Sequence, residues 1–222
     1  MDLTSGALQA AMDPAPSSVL KLFLLLTALS FAPAIVMSMT SFARIAIVMS
    51  LLRQAIGAPQ LPPNQIVVGL SLFLTFFIMA PTLETVHDNA IEPFLEDQIS
   101  YREAGEAASA PMKRFMLKQT RPDDLALFLD LSDSPRLHRG EDLPIHVVVP
   151  AFMISELTTA FKMGLYVFLP LLVVDVLVAS VMMSLGMMMV PPSMISLPAK
   201  LAVFVLADGW HLIVTSVVRS FG

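Results

Sequence analysis

Two carboxylates, Asp175 and Asp208, are the pair of residues in this chain that could do acid–base work. Each lies in a long apolar segment, where an ionised side chain is costly unless it has a partner or a function. Such a pair could serve as the coupling carboxylates of a small-solute or ion transporter. It could also mimic the aspartates of an intramembrane protease, but the flanking letters, VVD and LADG, are not the YD and GxGD of those enzymes. Enzyme activity is therefore not expected.

No other catalytic or cofactor-binding pattern is present in the sequence. The four histidines are His87, His138, His146 and His211. They are scattered without ligand spacing, and the absence of cysteine excludes disulfides and thiolate metal sites. The phosphate-binding pattern GxxxxGK[ST], the zinc pattern HExxH and the nucleophile pattern GxSxG are also absent. We expect neither a metal nor a cofactor.

The composition places the chain in or against a membrane. Hydrophobic residues make up 56% of the sequence and charged residues 14%, far from the average of a soluble domain. The net charge is −5 and there is no basic block, so nothing points to nucleic-acid binding. An integral membrane or membrane-complex protein is predicted.

The segment 171–192 organises the second half of the chain. Its apolar helix is expected to end at Gly186, and Pro191 and Pro192 prevent continuation, because proline lacks the backbone donor and clashes with the preceding turn. The residues between these signals include Met187, Met188 and Met189. They fall in the exposed elbow of a helical hairpin. Flexible thioether side chains there suit either a deformable apolar seal or ordinary packing.

The same turn pattern occurs earlier in the chain. Gly57 precedes Pro62 and Pro63 by the spacing that separates Gly186 from its own Pro-Pro pair, and an apolar segment follows in both cases. Two helical hairpins of one kind are the simplest interpretation. Internal repeats are common in membrane transport folds, and homology between the two halves is a hypothesis.

The predicted fold is all-α, with two helical-hairpin modules and a small helical polar insert. The expected regions are a polar N-terminal tail at 1–18, a first apolar module at 19–83, the insert at 84–144 and a second apolar module with the methionine elbow at 145–222. Val19–Met39 could be the apolar part of a signal peptide, but a retained membrane segment is favoured because apolar sequence continues after it. Internal prolines are expected to break the apolar segments.

The insert is the most charged part of the chain, with thirteen acidic and seven basic residues. Thr120 is expected to cap a helix with Pro122 in its first turn, and Ser109 to cap a helix that runs through Met116. Residues 132–140 are expected to form a loop. The low number of basic residues favours the outer, periplasmic side, although long loops are poor reporters of topology.

Six charged residues lie in apolar surroundings, and we expect them to be buried or to face another subunit rather than lipid. They are Arg44, Glu156, Lys162, Asp175, Lys200 and Asp208. The last apolar segment, from residue 195 to 218, is predicted to be one helix with a polar stripe on one face. The stripe comprises Lys200, Asp208, His211, Thr215 and Arg219. It could seal an interface through buried ion pairs or line an aqueous path.

Four long stretches resemble the FliP/SctR family of type III export-gate proteins. They are SMTSFARIAIVMSLLRQAIGAPQLPPNQ at 38–65, GLSLFLTFFIMAP at 69–81, PAFMISELTTAFKMG at 150–164 and DVLVASVMMSLGMMMVPPSMISLPAKLAVFVLADGW at 175–210. The resemblance covers essentially everything after residue 18. The methionine triplet beside the Pro-Pro pair favours the flagellar branch over the injectisome branch. Ala199 departs from the bulkier Phe that is usual in the family, a difference that concerns packing.

The resemblance implies a core subunit of the flagellar export gate, located in the bacterial inner membrane at the flagellar basal body. It implies a homo-oligomeric ring, of five copies in this family, with FliQ and FliR, and further contact with FlhB and FlhA. Unfolded flagellar proteins would pass through this ring, much of which lies above the bilayer plane. Membrane lipid is a further expected partner. In such a ring the methionine elbows would converge into a gasket.

Overall fold

The computed structural model describes residues 18–132, 143–187 and 189–222. The predicted tail at 1–18 and the predicted loop at 132–140 lie almost entirely outside the described residues, as does Met188. The chain divides into two compact units, Met1–Val36 and Met37–Gly222. In the first unit the described residues form the greater part of one apolar helix, and the remaining helices belong to the second.

The described residues form helices and no strand, which confirms the all-α prediction. In chain order the helices are α1 (Ser18–Met39), α2 (Phe42–Ile56), α3 (Asn64–Val86), α4 (Glu92–Leu95), α5 (Tyr101–Gln119), α6 (Pro122–Leu131), α7 (Ile145–Ser184), α8 (Ser193–Leu206) and α9 (Gly209–Arg219). A π-helical turn, His87–Ile91, joins α3 to α4. Two of the described helical stretches, Asn64–Leu95 and Ile145–Ser184, are long and apolar enough to cross a membrane.

Helix α2 is shorter than a membrane span and is buried by other helices instead. It has 15 residues, whereas a lipid-facing span needs about 20. Four of its large apolar residues are at most 2% exposed: Ile45, Val48, Met49 and Leu52. Burial of each such side chain stabilises the fold by roughly 1.5–3 kcal/mol. The neighbouring helix α7 approaches closely at Gly164, where an added Cβ would lie 2.2 Å from Leu51 Cδ1.

Helix α7 is continuous over 40 residues and passes through both Pro150 and Pro170. The prediction that internal prolines break this apolar segment was wrong. A proline removes one backbone hydrogen bond, but neighbouring helices and local adjustments satisfy the freed group in apolar helices of this length. The helix begins directly after Pro144, whose extended backbone occupies the N-cap position.

Helix α5 begins with a capping box at Ser100 and Glu103. The Ser100 N–H donates to the Glu103 carboxylate at 2.7 Å, and the Glu103 N–H donates to Ser100 Oγ. The hydrogen bond from the Ser100 backbone, followed by that from its side chain, holds the pKa of Glu103 below its usual value. The prediction that Ser109 caps this helix was wrong, because Ser109 lies inside it and donates to the Glu106 carbonyl.

Helix α6 starts at Pro122, with Arg121 rather than Thr120 at the N-cap position. The prediction of a Thr120 cap was wrong because Thr120 Oγ1 donates backwards to the Met116 carbonyl at 2.7 Å. The start of α6 is instead fixed on α7. The Arg121 N–H donates to Ser155 Oγ at 2.9 Å, and that hydroxyl donates to the Asp124 carboxylate at 2.6 Å.

The polar insert has its own small core against the first part of α7. This cluster contains Met116, Leu143, Val148 and Phe152. Phe115 adds an edge-to-face contact with Phe152 at 6.0 Å between ring centroids. The insert is therefore packed onto the long helix along α5 and α6.

The last apolar segment consists of two helices rather than one. Helices α8 and α9 are bent by 65° at a break between Leu206 and Gly209. Asp208 in this break has a φ of 50°, a left-handed conformation that Asp adopts more readily than most residues with a side chain. The predicted continuous polar stripe was wrong, because this bend separates buried Lys200 on α8 from His211 on α9.

Candidate functional site

The methionine elbow lies between α7 and α8, outside either helix. Helix α7 ends at Ser184, and Gly186 takes the left-handed conformation with a φ of 72°. The N–H of Met187 donates back to the Met182 carbonyl at 3.0 Å, which closes the end of the helix. Met187 is 41% exposed and Met189 is 97% exposed, whereas Met188 lies outside the described residues. Two of the three predicted elbow methionines thus project from the chain.

The earlier turn repeats the left-handed glycine of the elbow, although the backbone of Pro63 is extended and that of Pro192 is helical. Gly57 is left-handed with a φ of 87°, and its N–H donates to the Gln54 carbonyl at 3.0 Å. Pro63 then occupies the N-cap position of α3, as Pro192 does for α8. Since glycine is the residue that enters the left-handed region without steric cost, the repeated Gly-to-Pro-Pro pattern has a local physical cause in both turns.

A buried lysine connects the two turns. Lys200 Nζ lies 2.5 Å from the Asp175 carboxylate on α7 and donates to the Ala55 carbonyl at the end of α2 at 3.0 Å. The Lys200 side chain is 9% exposed and that of Asp175 is 43% exposed. A cavity of about 290 Å³ beside this pair is lined by both Gly57 and Pro192. The ion pair therefore joins the two arms of the second hairpin, and the Lys200–Ala55 hydrogen bond joins this hairpin to the first.

A second buried ion pair lies deeper in the fold, between Arg44 on α2 and Glu156 on α7. The Arg44 Nε donates to Glu156 Oε2 at 2.9 Å, and both side chains are at most 2% exposed. Arg44 Nη2 donates to Glu156 Oε1, and Arg44 Nη1 donates to Ser220 Oγ at 2.9 Å and to the Ser220 carbonyl at 3.1 Å. Gln119 accepts a further bond at 3.3 Å, and the Phe221 ring centroid lies 3.8 Å from Arg44 Cζ.

Sequence reasoning identified the two ion-paired clusters only in part. It singled out Arg44 and Glu156 as charged residues in need of a partner, but it missed the neutral partners in the α5 helix and at the end of the chain. Gln119 is 75 positions from Arg44 and Ser220 is 176 positions away. Polar residues of these types carry no local signal for such a contact, so only the tertiary fold reveals it.

Two of the predicted buried charges are exposed in the described chain. Lys162 lies on the open face of α7, and Asp208 lies at the break between α8 and α9. Among the described residues neither belongs to an ion pair. They are not buried within this chain, and their position at a subunit interface stays a prediction. Of the two candidate coupling carboxylates, Asp175 is paired with Lys200.

One group of possible metal ligands was also missed by the sequence reasoning. Ligand atoms of His87, Asp88 and Glu92 lie within 4.8 Å of one another at the π-helical turn. All three residues are exposed. Exposed charged side chains of this kind are screened by water and often lie together without an ion, so the group carries no metal assignment.

Comparison with known proteins gives a consistent family match. The model of the FliP family matches residues 25–217 of this chain. The chain is 55% identical over 197 residues to the flagellar biosynthetic protein FliP of Pectobacterium carotovorum, covering 89% of this chain and 76% of that protein. It is 51% identical over 205 residues to the protein of the same name from Bacillus subtilis, covering 92% and 93% respectively. The corresponding Caulobacter vibrioides protein is 54% identical over 203 residues, covering 91% and 76%.

Proposed function

The chain belongs to the FliP family, and from this premise we propose that it is a core subunit of the flagellar type III protein export gate. As a FliP-family flagellar biosynthetic protein, it is a component of the flagellar export apparatus. Its long apolar helices fit a membrane-associated part of that apparatus. We propose the bacterial inner membrane, at the flagellar basal body, as its location. The role is one of protein transport rather than of catalysis.

The proposed working unit is a ring of several copies, five by family resemblance, built together with FliQ and FliR. FlhB, FlhA and unfolded flagellar proteins are the further proposed partners. The exposed face of α7 supports a subunit interface. Phe161, Leu165 and Tyr166 are 58%, 56% and 73% exposed there. Exposed Lys162 lies among them, and an ammonium facing lipid in mid-helix is costly. This face is better satisfied by a neighbouring subunit.

The observation that carries the gate proposal is the position of the elbow methionines. Met187 and Met189 project from a turn that is fixed by Gly186 on one side and by the Pro-Pro pair on the other. In a closed ring, heterologous contacts repeat each feature around one axis. Flexible thioether side chains from every copy can then pack against one another and close the path to ions and small solutes.

The two ion pairs would supply the rigid base that such an elbow needs. Asp175 lies on α7 before the elbow and Lys200 lies on α8 after it, so their contact fixes the two arms of the hairpin. The Arg44–Glu156 pair joins α2 to the same long helix. Flexible methionine side chains on a turn whose flanking helices are fixed can deform around a passing chain and return to a closed state.

The transporter alternative has less support from the site. Coupling carboxylates must bind and release protons or cations along a path, whereas Asp175 is already paired with the Lys200 ammonium. Asp208 lies at the surface and belongs to no ion pair among the described residues.

Mass measurement of the gently extracted complex tests the proposal. If the chain is an export-gate subunit, the extracted complex should contain several copies of it together with FliQ and FliR. It also predicts that a strain lacking the chain regains flagellar secretion on its re-expression. A single copy that alone carries acid-dependent flux in vesicles would overturn the proposal in favour of the transporter.

A further inference from the structure

We infer that Lys162 of each copy pairs with Asp208 of the next copy in the ring. This inference rests on the ring proposed above, and it names the two surfaces that meet between neighbouring copies. Both residues are exposed, and neither has an ion-pair partner within the part of the chain that the structure describes. Their charges are opposite, so each can satisfy the other across a contact between copies.

The first surface, the α7 patch, is a cation among exposed apolar side chains. It consists of Lys162, Leu165 and Tyr166, of which the last two are 56% and 73% exposed. With 3.6 residues per turn, Lys162 lies roughly 160° around the helix from Gly164 and roughly 140° from Asp175. Gly164 approaches α2 and Asp175 contacts α8. The α7 patch therefore faces away from α2 and α8 of its own chain and is open to a second molecule.

The second surface, the bend patch, is an anion among exposed apolar side chains at the break between α8 and α9. It consists of Val205, Leu206, Asp208 and Leu212. The three apolar residues are 72%, 87% and 54% exposed. The Asp208 side chain does not cap α9, so its carboxylate is available to a partner. A lone carboxylate in such surroundings is costly against lipid, and a cation from another copy removes that cost.

The bend patch is held in shape by the ring of Phe204. This buried ring makes an edge-to-face contact with Trp210, at 5.5 Å between ring centroids. An added Cβ at Gly209 would lie 2.2 Å from Phe204 Cε2. The bend is thus packed from within, and Asp208 is presented on a preformed surface. A preformed surface loses less conformational freedom when a partner binds.

Both charges lie within the same stretch of α7. Before Asp208 in the chain, α8 is held by its buried lysine at Asp175. After Asp208, the last turn of the chain is held by the ion-paired cluster at Glu156. Lys162 lies between these same two positions on α7. Rotation of one copy about an axis along α7 can therefore bring the two patches together, and a head-to-tail contact of this kind joins two different surfaces.

Cysteine cross-linking of the full chain, produced with FliQ and FliR, tests which surfaces meet, because the native sequence has no cysteine. The double variant Tyr166→Cys with Leu206→Cys places one thiol on each patch. A short bismaleimide should join this variant into a ladder of covalent oligomers that extends beyond the dimer. Either single variant should give no chain-to-chain product, because each would carry a thiol on one patch only.

Charge reversal tests the ion pair itself. Lys162→Glu places two carboxylates opposite each other and should lower the yield of the complex by about tenfold or more, because like charges repel across an interface. Adding Asp208→Asn should restore most of that yield, since the amide is neutral and Asn tolerates the left-handed turn. In the parent background the amide oxygen can still accept a hydrogen bond from Lys162, so this change alone is mild.

Two control variants change charges of the same kind away from both patches. Arg102 and Glu106 form an exposed ion pair on α5. Arg102→Glu should leave the yield of the complex unchanged, and Glu106→Gln should not restore the yield of Lys162→Glu.

Failure of the pairing and failure of the ring give different results. A complex that contains several copies but gives no ladder would overturn the pairing and leave the ring intact, since another occupant, such as α1, FliQ or lipid, would then cover the α7 patch. Dimers from either single-cysteine variant would overturn it as well. So would a normal yield of Lys162→Glu, or a low yield that Asp208→Asn does not restore. A single copy in the extracted parent complex would overturn the ring and the pairing together.

Discussion

Arg44 and Glu156 lie 112 positions apart in the chain, yet the Arg44 Nε donates to Glu156 Oε2 at 2.9 Å in the interior of the protein. Removing two charges from water is costly, and their attraction offsets that cost only if the remaining donors and acceptors are also satisfied. Ser220 and Gln119 satisfy the other guanidinium nitrogens. The pair thereby joins α2, α5, α7 and the end of the chain at one point.

Removal of one member of this pair is expected to destabilise the chain severely. Glu156→Gln or Arg44→Gln leaves an uncompensated buried charge, which costs roughly 3–5 kcal/mol. The thermal unfolding midpoint and the yield of the purified chain should both fall. The double variant Arg44→Met with Glu156→Leu removes both charges and should recover part of the loss. Single variants as stable as the parent would show that the pair contributes little.

The Asp175–Lys200 pair is expected to respond asymmetrically to mutation. The Lys200 side chain is 9% exposed and that of Asp175 is 43% exposed. Asp175→Asn therefore leaves a buried ammonium, whereas Lys200→Met leaves a carboxylate that water can reach. Asp175→Asn should lower the unfolding midpoint more than Lys200→Met does. Lys162→Met, an exposed site on the same helix as Asp175, should change stability by only about 0.5 kcal/mol. An equal fall in the unfolding midpoint for Asp175→Asn and Lys200→Met would contradict this interpretation.

The close approach of α2 and α7 gives a third prediction. The Cβ that Gly164→Ala adds would lie 2.2 Å from Leu51 Cδ1, which is too close for two carbon atoms. Overpacking of this kind costs typically about 1–3 kcal/mol, and a second change, Leu51→Ala, should recover part of the loss. Gly105→Ala is the matched control, because no atom lies within 4 Å of its added Cβ. It should stabilise helix α5 by roughly 0.5–1 kcal/mol. Calorimetry of the parent and the three variants would show whether helix contact, rather than helix propensity, requires glycine at position 164.

Features with a local cause were readable from the sequence. The turns at Gly57 and Gly186 follow from glycine and proline chemistry, and both were predicted with their Pro-Pro pairs. The cap of α5 also has a local signal, since Ser100 and Glu103 have the spacing of a capping box, and the prediction of a Ser109 cap missed it. The break at Asp208 also had a local signal, since Asp208-Gly209 is a dipeptide typical of turns, but the prediction of one helix over 195–218 missed it.

For features that depend on tertiary contacts, the sequence predicts that a buried charge has a partner but not which residue that partner is. The apolar sequence around Arg44 required a partner for its charge. It did not specify Glu156, since Asp175 and Asp208 were equally eligible carboxylates. At the prolines of α7, the sequence predicted a structural feature that the tertiary fold does not show. Local chemistry predicted breaks at Pro150 and Pro170, but the helix continues through both.

Two substitutions of Asp208 can distinguish a conformational role of this residue from a role in proton coupling. Asp208→Asn keeps a residue that tolerates the left-handed conformation and removes the charge. Asp208→Ala costs roughly 1–2 kcal/mol in that conformation. We expect Asn to support normal assembly and secretion, and Ala to lower complex yield. Secretion and complex yield would be measured in the same cells. An Asn variant that assembles normally but does not secrete would revive the coupling-carboxylate alternative.

The methionine elbow gives the last prediction. A triple variant with alanine at Met187, Met188 and Met189 should assemble with its partners but leak ions and small solutes. Each substitution removes most of a side chain at a position repeated in every copy, so the losses combine around one axis. The turn should persist, because Gly186 and the Pro-Pro pair define its backbone. Complex yield, membrane conductance and secretion would be measured together.

The control for the elbow uses methionines outside it. Met183 and Met194 are 63% and 70% exposed on the helices that flank the turn. Replacing these two by alanine removes similar apolar volume and should leave conductance unchanged. If the triple elbow variant fails to assemble, the methionines are packing residues, and the seal must lie elsewhere. If it assembles and stays as tight as the parent, another constriction, such as one formed by FliR, closes the path. Raised conductance in the elbow variant alone is the outcome that a methionine seal requires.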